Sequence, residues 1–170
     1  MEPRVWLLVT VKREISSVDK NLEIALKGLS GKVGRVGWFE KSKYEDGTPV
    51  ASIAAQNEYG NPTKHIPPRS FMRTSIIEKE NEWRSLAEQG SKAVLDGKQT
   101  VTQVMEKIGL KAAGDIRKKI TQIFEPPLSP VTIHNRLHRK SNKKTIGLLT
   151  KPLIDTGIML NTLTNTVEDK

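Results

Sequence analysis

Residues 100–124, TVTQVMEKIGLKAAGDIRKKITQIF, constrain this chain more than any other stretch. Val101, Val104, Met105, Ile108, Ala112, Ile116, Ile120 and Ile123 recur at three- and four-residue steps. On a helix they form one stripe, which the rest of the chain has to cover. The following EPPLSP ends that helix, because proline lacks an amide hydrogen and restricts the residue before it. Gly109 and Gly114 inside the stripe either weaken it or permit a close neighbour.

Shorter elements surround this helix. PRVWLLVTVKRE (3–14) is expected to be a strand, a short apolar run ended by charges. SSVDKNLEIALKGLSG (16–31) reads as a helix capped by Ser16 or Ser17, with Val18, Leu22, Ala25 and Leu26 on one face and Gly28 and Gly31 as the stop. KVGRVGWFE (32–40) is expected to be a second strand, its inner glycines suggesting a bulge or a close backbone approach. PVASIAAQNEYG (49–60) has proline at a first helical position and glycine just past the end, with Val50, Ile53, Ala54 and Asn57 along one side. A further helix is expected from Ser70 to Gly90, marked by Phe71, Met72, Ile76 and Trp83. Near the C-terminus, Asp155 or Thr156 is placed to cap a short helix bearing Ile158, Met159, Leu160 and Leu163, and residues 163–167 alternate in a way that suits a strand.

The expected fold class is therefore α+β, a small mixed or antiparallel sheet packed against two or three helices, with extended loop and arm segments. Residues 1–125 are read as the core, 126–151 as a basic extended arm, and 152–170 as a C-terminal helix or strand segment packing on the core or on a neighbour. With only three Trp, two Tyr and three Phe, the core has to be largely aliphatic.

Charge is uneven. The formal net charge is +9, and no Asp or Glu occurs between Glu125 and Asp155. That interval carries Arg136, Arg139, Lys140, Lys143, Lys144 and Lys151, with His134 and His138. Such an excess attracts phosphates, acidic protein faces or anionic lipid, and a solvated loop explains it equally well. The chain has no cysteine, which removes disulfides, thiolate metal sites and cysteine nucleophiles. VWLLVTV (5–11) is too short to span a membrane and lacks the features of a signal peptide, so a soluble, cytoplasmic chain is expected.

Little points to catalysis. His134 and His138 stand four apart, as metal ligands on a helix do, but lysines and arginines surround them and oppose a dication. No phosphate loop, nucleophile elbow or zinc signature occurs, and GKVGRVG lacks the strand-to-helix context of a dinucleotide site. No catalytic residue, cofactor or metal is expected. Glu58 falls in the last turn of its helix, where its charge opposes the dipole, which calls for a tertiary partner such as Arg69 or Arg73. Asp155 is read as a helix cap.

KHIPPRSFMR (64–73) sets stiff prolines and two arginines around Phe71. The prolines lower the conformational cost of holding a defined loop, Phe71 is expected to anchor in the core, and Arg69 and Arg73 suit bidentate pairing with acids. A loop joining two helices within one subunit accounts for this, as does docking between subunits.

Taken with its neighbours, this segment resembles tail-completion or neck proteins of tailed bacteriophages. In that pattern an alanine-rich helix ending in Glu-aromatic-Gly, here VASIAAQNEYG, precedes Ile-Pro-x-Arg-x-Phe, here within HIPPRSFMR. PPLSPVTIHNRLHRK followed by KPLIDTGIMLNTLT is similar to a second signature of the same proteins. The resemblance spans roughly residues 33 to 165 in the expected order. Ser70 stands where proline often follows the arginine, and Ile158 where a charged or polar residue is common.

The resemblance implies a non-enzymatic structural virion protein at the head–tail junction or upper tail, made in the host cytoplasm. It implies a homo-oligomeric ring, expected to be a hexamer, contacting head–tail connector or adaptor proteins and the tail terminator or the tail tube and sheath. Transient contact with genomic DNA in the lumen is compatible with it, and no membrane partner is implied. Glu58, Tyr59, Gly60, Ile66, Pro67, Arg69 and Phe71 form one motif cluster, and Pro152, Leu153, Asp155, Thr156 and Gly157 the other. Arg73, Arg136, Arg139 and Lys140 join these as expected docking residues. The alternatives are a tail-terminator or other minor tail protein, and a basic DNA-binding protein using residues 134–151 as its arm.

Overall fold

The computed structural model describes residues 17–139 and 145–170. The strand expected over 3–14, the Ser16 cap, and Lys140, Lys143 and Lys144 lie outside them.

The described elements, in order, are α1 (Ser17–Gly31), β1 (Lys32–Gly37), α2 (Val50–Tyr59), a 3₁₀ turn (Pro62–Lys64), α3 (Met72–Leu95), α4 (Val101–Gln122), α5 (Pro130–Leu137), α6 (Ile158–Asn161) and β2 (Thr164–Asp169). The fold is a small α+β arrangement, as the sequence pattern predicts.

α3 and α4 form an antiparallel hairpin that frames the rest. Thr100 starts α4 with a capping box: its hydroxyl accepts the Gln103 amide, and the Gln103 side chain accepts the Thr100 amide. Cross-helix ties run from Lys119 Nζ to Glu78 (2.7 Å) and from Trp83 Nε1 to Asp115 (2.8 Å). Farther along, Gly90 lets the helices approach, since a Cβ there would lie 2.2 Å from Val104 Cγ1. On α3, Ser75, Gly90 and Val94 are buried, and Trp83 and Leu86 are half-buried. Ile76, one of the apolar residues that mark this helix in the sequence, is exposed.

β1 and β2 pair antiparallel, from Lys32 opposite Asp169 to Gly37 opposite Thr164. α4 covers this two-stranded sheet by packing on both strands. Gly109 provides the close approach, because a Cβ there would meet Asn165 at 2.9 Å; at Gly114 the space is open. Of the face expected on α1, Leu22 and Leu26 are exposed. The contact with α4 falls at Gly28 against Val101, about 120° round the helix from Leu22 and about 160° from Leu26.

Every residue of the stripe expected on α4 is buried or half-buried. Ala113, Ile116 and Ile120 meet Val50 and Ala54 of α2, Phe71, Met159 of α6 and Leu163 in the main core. A second cluster of Val94, Val101 and Val104 closes the far end of the hairpin. Fully burying a side chain such as Ile120 or Phe71 contributes about 2–3 kcal/mol. Trp38 stands edge-on to Phe71, with centroids 5.8 Å apart, and its indole N–H donates to the Met159 carbonyl at 2.7 Å. The C-terminal segment 152–170 thus packs on the core of its own chain.

The interval read as an extended arm contains α5. Ser129 caps it by accepting the Thr132 amide, and Pro130 occupies its first turn. Ser-Pro at this place was the available signal, which the surrounding charge obscured. Among the described residues, no helix is long and apolar enough to cross a membrane.

Candidate docking groove

Glu58 organises the first motif cluster. It sits in the last turn of α2 and its side chain is 5% exposed. Oε2 accepts the amides of Phe71 and Met72 at 2.8 and 2.9 Å. Oε1 accepts the Ser70 hydroxyl at 2.6 Å, the Arg73 amide at 3.1 Å and Arg73 Nε at 3.0 Å. Phe71, at the N-cap of α3, supplies no side-chain cap of its own, so Glu58 caps α3 from a neighbouring helix. The mild cost of a carboxylate at the end of α2 is offset at the start of α3, where exposed amides favour negative charge. Burial pushes the Glu58 pKa up, but the hydrogen bonds from Ser70, the Met72 and Arg73 amides and the Arg73 side chain prevail and hold it below the usual value. Ser70, which stands where the pattern this segment resembles often has proline, is therefore one of the donors that hold the carboxylate.

Of the two expected arginine partners, Arg73 takes Glu58, and its guanidinium also lies 4.8 Å over the exposed Tyr59 ring. Arg69 does not pair with an acid. Nε and Nη2 donate to the carbonyls of Pro126 and Pro127 at 2.7 and 2.8 Å, and its amide donates to Asn57 O at 2.7 Å. The reason is the break after α4: EPP leaves two successive carbonyls beyond the helix, and the planar guanidinium fork satisfies both. Phe71 is fully buried, as expected of an anchor.

Gly60 turns the chain out of α2 with φ 79°, and a Cβ there would lie 3.0 Å from Ile66 O and from Pro68 N. Asn61 and Ile66 then bridge back to back, their amides exchanging hydrogen bonds with the opposite carbonyls at 2.8 and 2.9 Å. This holds Ile66 and Pro67 beside α2.

Asp155 organises the second cluster. It does not cap α6, whose N-cap is Gly157 at φ 76°. Instead Oδ2 accepts from Arg139 Nη2, Oδ1 accepts the Thr145 hydroxyl at 2.8 Å, and the Asp155 carbonyl accepts the Ile146 amide at 2.7 Å. Arg136 Nε stands 3.8 Å from Oδ1, while its Nη1 donates to the carbonyls of Leu149 and Lys151 at 2.9 and 2.8 Å. The cap expectation fails because Arg139 and Thr145 engage the carboxylate and Gly157 takes the N-cap position. Pro152 is fully buried and Leu153 half-buried. Buried Lys151 donates to Ile123 O at 2.7 Å, closing the C-terminus of α4, with its ammonium over the Phe124 ring.

The two clusters, distant in sequence, line one groove of about 1260 Å³. Ile66, Pro67 and Arg69 come from the first, and Leu153, Asp155, Thr156 and Gly157 from the second. α5 adds Arg136, and Arg139 follows it. Glu58, Tyr59, Gly60, Phe71, Arg73 and Pro152 are not among the lining; they position the residues that are. His65 and Leu153, the two non-glycine residues with left-handed φ among those described (52° and 65°), both line it. Holding such a conformation costs on the order of 1–3 kcal/mol, and that kind of strain gathers at functional surfaces. The sequence reading did not single out Tyr44, which also lines the groove; burial first, then the Asp155 and Asp46 charges, push its phenol pKa up.

His134 and His138 stack on each other with centroids 4.1 Å apart, and His138 Nδ1 lies 3.0 Å from His134 O. Among the described residues no group of His, Asp and Glu side chains is placed to hold a metal ion. No protein-family model, curated protein or solved structure matches the chain.

Proposed function

We propose that the chain is a structural virion protein of a tailed bacteriophage, a ring-forming neck or tail-completion subunit that joins the head connector to the tail. The observation that carries this reading is the convergence of both motif clusters on one groove. Two signatures that resemble the same family, separated by a long helical hairpin, meet across a shared concave surface. The Glu58 cap and the Asp155 clasp brace that surface from within the same chain. Rigid docking surfaces suit a ring, because groups already ordered lose less entropy when subunits associate.

Electron microscopy of intact particles tests the reading. A closed ring of this protein between the portal stack and the tail tube is the expected density, with a hexamer as the expected order. Density capping the head-proximal end of the tail tube, rather than a ring between the tube and the portal stack, would reassign the chain to the terminator role. Absence from particles would overturn the structural reading and leave the basic α5 region, with steep salt-dependent DNA binding, as the next function to examine.

A further inference from the structure

We propose that the groove binds an extended segment of a partner protein, whose apolar side chains lie on its walls and whose acidic side chain meets Arg69, Arg136 and Arg139. The inference rests on the assembly reading above in taking the ligand to be another protein.

Charge in the groove is incompletely matched. Lys64, Arg69, Arg136 and Arg139 line it against Glu45, Asp46 and Asp155; Arg136 and Arg139 share Asp155, and Arg69 pairs with no acid among the described residues. Arg69 spends two of its nitrogens on carbonyls, and neither it nor Arg136 faces a carboxylate of its own. Burial and the neighbouring Arg136 charge both pull the Arg69 pKa down, so these two cations already stand in each other's field. A carboxylate placed by the partner between Arg69 and Arg136 relieves that repulsion and accepts charge-assisted hydrogen bonds in a partly desolvated place. No buried side-chain nitrogen or oxygen among the described residues lacks a partner, so a guanidinium nitrogen without a protein acceptor is not sealed from solvent.

Shape selects the kind of ligand. Arg69 is 5% exposed and the Arg136 side chain 9%. The phosphates of a duplex, on the outside of a thick cylinder, do not reach guanidiniums at that depth, whereas a single extended chain does. The walls are apolar for much of their length, with Ile53, Ile66, Pro67, Leu128, Leu153 and Met159. Phosphate recognition uses exposed cations rather than such walls. The volume of about 1260 Å³ exceeds the 300–1,000 Å³ usual for small-molecule pockets, which leaves room for several residues of a peptide.

The test is selection from a random peptide display library on the full-length protein, followed by fluorescence anisotropy with the enriched peptides. Enriched sequences are expected to carry Asp or Glu flanked by apolar residues, and replacing that acid by its amide should weaken binding roughly tenfold or more. Val131 lines the groove and is 68% exposed, so Val131→Glu puts a repelling charge there without disturbing the core and should abolish binding. Leu137, on the same helix, is 62% exposed and does not line the groove; Leu137→Glu should bind as the parent does. No enrichment, enrichment without an acid, or indifference to Val131→Glu would overturn the inference. So would displacement of the peptide by a short DNA duplex whose own binding Val131→Glu removes, which would make the groove a phosphate site. These outcomes are independent of where the protein sits in particles, so the groove and the neck assignment can fail separately.

Discussion

Glu58 Oε2 accepts the Phe71 amide at 2.8 Å, and this one contact joins the end of α2 to the start of α3 at the point where Phe71 enters the core. A carboxylate at an unfavourable place on its own helix becomes the cap of the next one, and the loop between them is held at both ends. Ile66 and Pro67, which line the groove, lie within that loop.

Glu58→Ala removes the cap and leaves the first amides of α3 and the Arg73 side chain without their acceptor. The expected destabilisation is about 2–4 kcal/mol, read from the midpoint of urea unfolding. Glu58→Gln keeps one acceptor oxygen and should fall between Ala and the parent. A midpoint for Glu58→Ala equal to that of the parent would remove the capping account.

The same carboxylate sets an acid dependence. Its native pKa lies below its ordinary value, because the donors around it outweigh burial, so the unfolded chain binds the proton more readily. Stability from Glu58 is complete above the unfolded pKa and is lost as pH falls through the native one. Asp115 acts in the same direction: burial raises its pKa, and Lys111 and Trp83 more than reverse that. The melting temperature should fall as pH drops from about 5 towards 3, and Glu58→Gln should flatten the fall. An unaltered slope in that variant would assign the acid loss to other groups.

Two glycines in the hairpin should answer oppositely to alanine. Gly90→Ala drives a methyl into Val104 and should cost about 1–3 kcal/mol. Gly114 faces open space inside α4, and Gly114→Ala should gain roughly 0.5–1 kcal/mol from helix propensity. Thermal unfolding of both variants checks the pair, and a stabilising Gly90→Ala would contradict the close approach of α3 and α4.

Asp155→Asn weakens the clasp to Arg139 and Thr145 while keeping nearly the same volume. Limited trypsin digestion should then cut after Arg136 and Arg139 several-fold faster than in the parent, since cleavage follows local opening. Equal rates would mean that α5 is held by its packing and by the Arg136 bonds to Leu149 and Lys151.

Local pattern alone was enough for much of the fold. The apolar stripe of α4, the proline stop after it, the proline and glycine bounding α2, and the pairing of apolar residues around Met159 and Leu163 are all decided by short-range periodicity and backbone chemistry. The resemblance also named Ile66, Pro67, Arg69, Leu153, Asp155, Thr156 and Gly157 of the groove, and Glu58 that braces it, but not the larger part of the lining. Partners across long sequence distances were another matter. Arg69 was read as seeking an acid, and only the fold brings the Pro126 and Pro127 carbonyls to it. Asp155 carries the signature of a helix cap, yet in the fold its carboxylate meets Arg139 and Thr145 instead. Leu22, Leu26 and Ile76 have apolar character in sequence and are exposed, while Gly28 and Gly90 make the close helix contacts against Val101 and Val104. Periodicity and capping act over a few residues, so a sequence carries them openly. Which donor reaches which acceptor, and which helix face lies against another, depends on tertiary packing that no local pattern encodes.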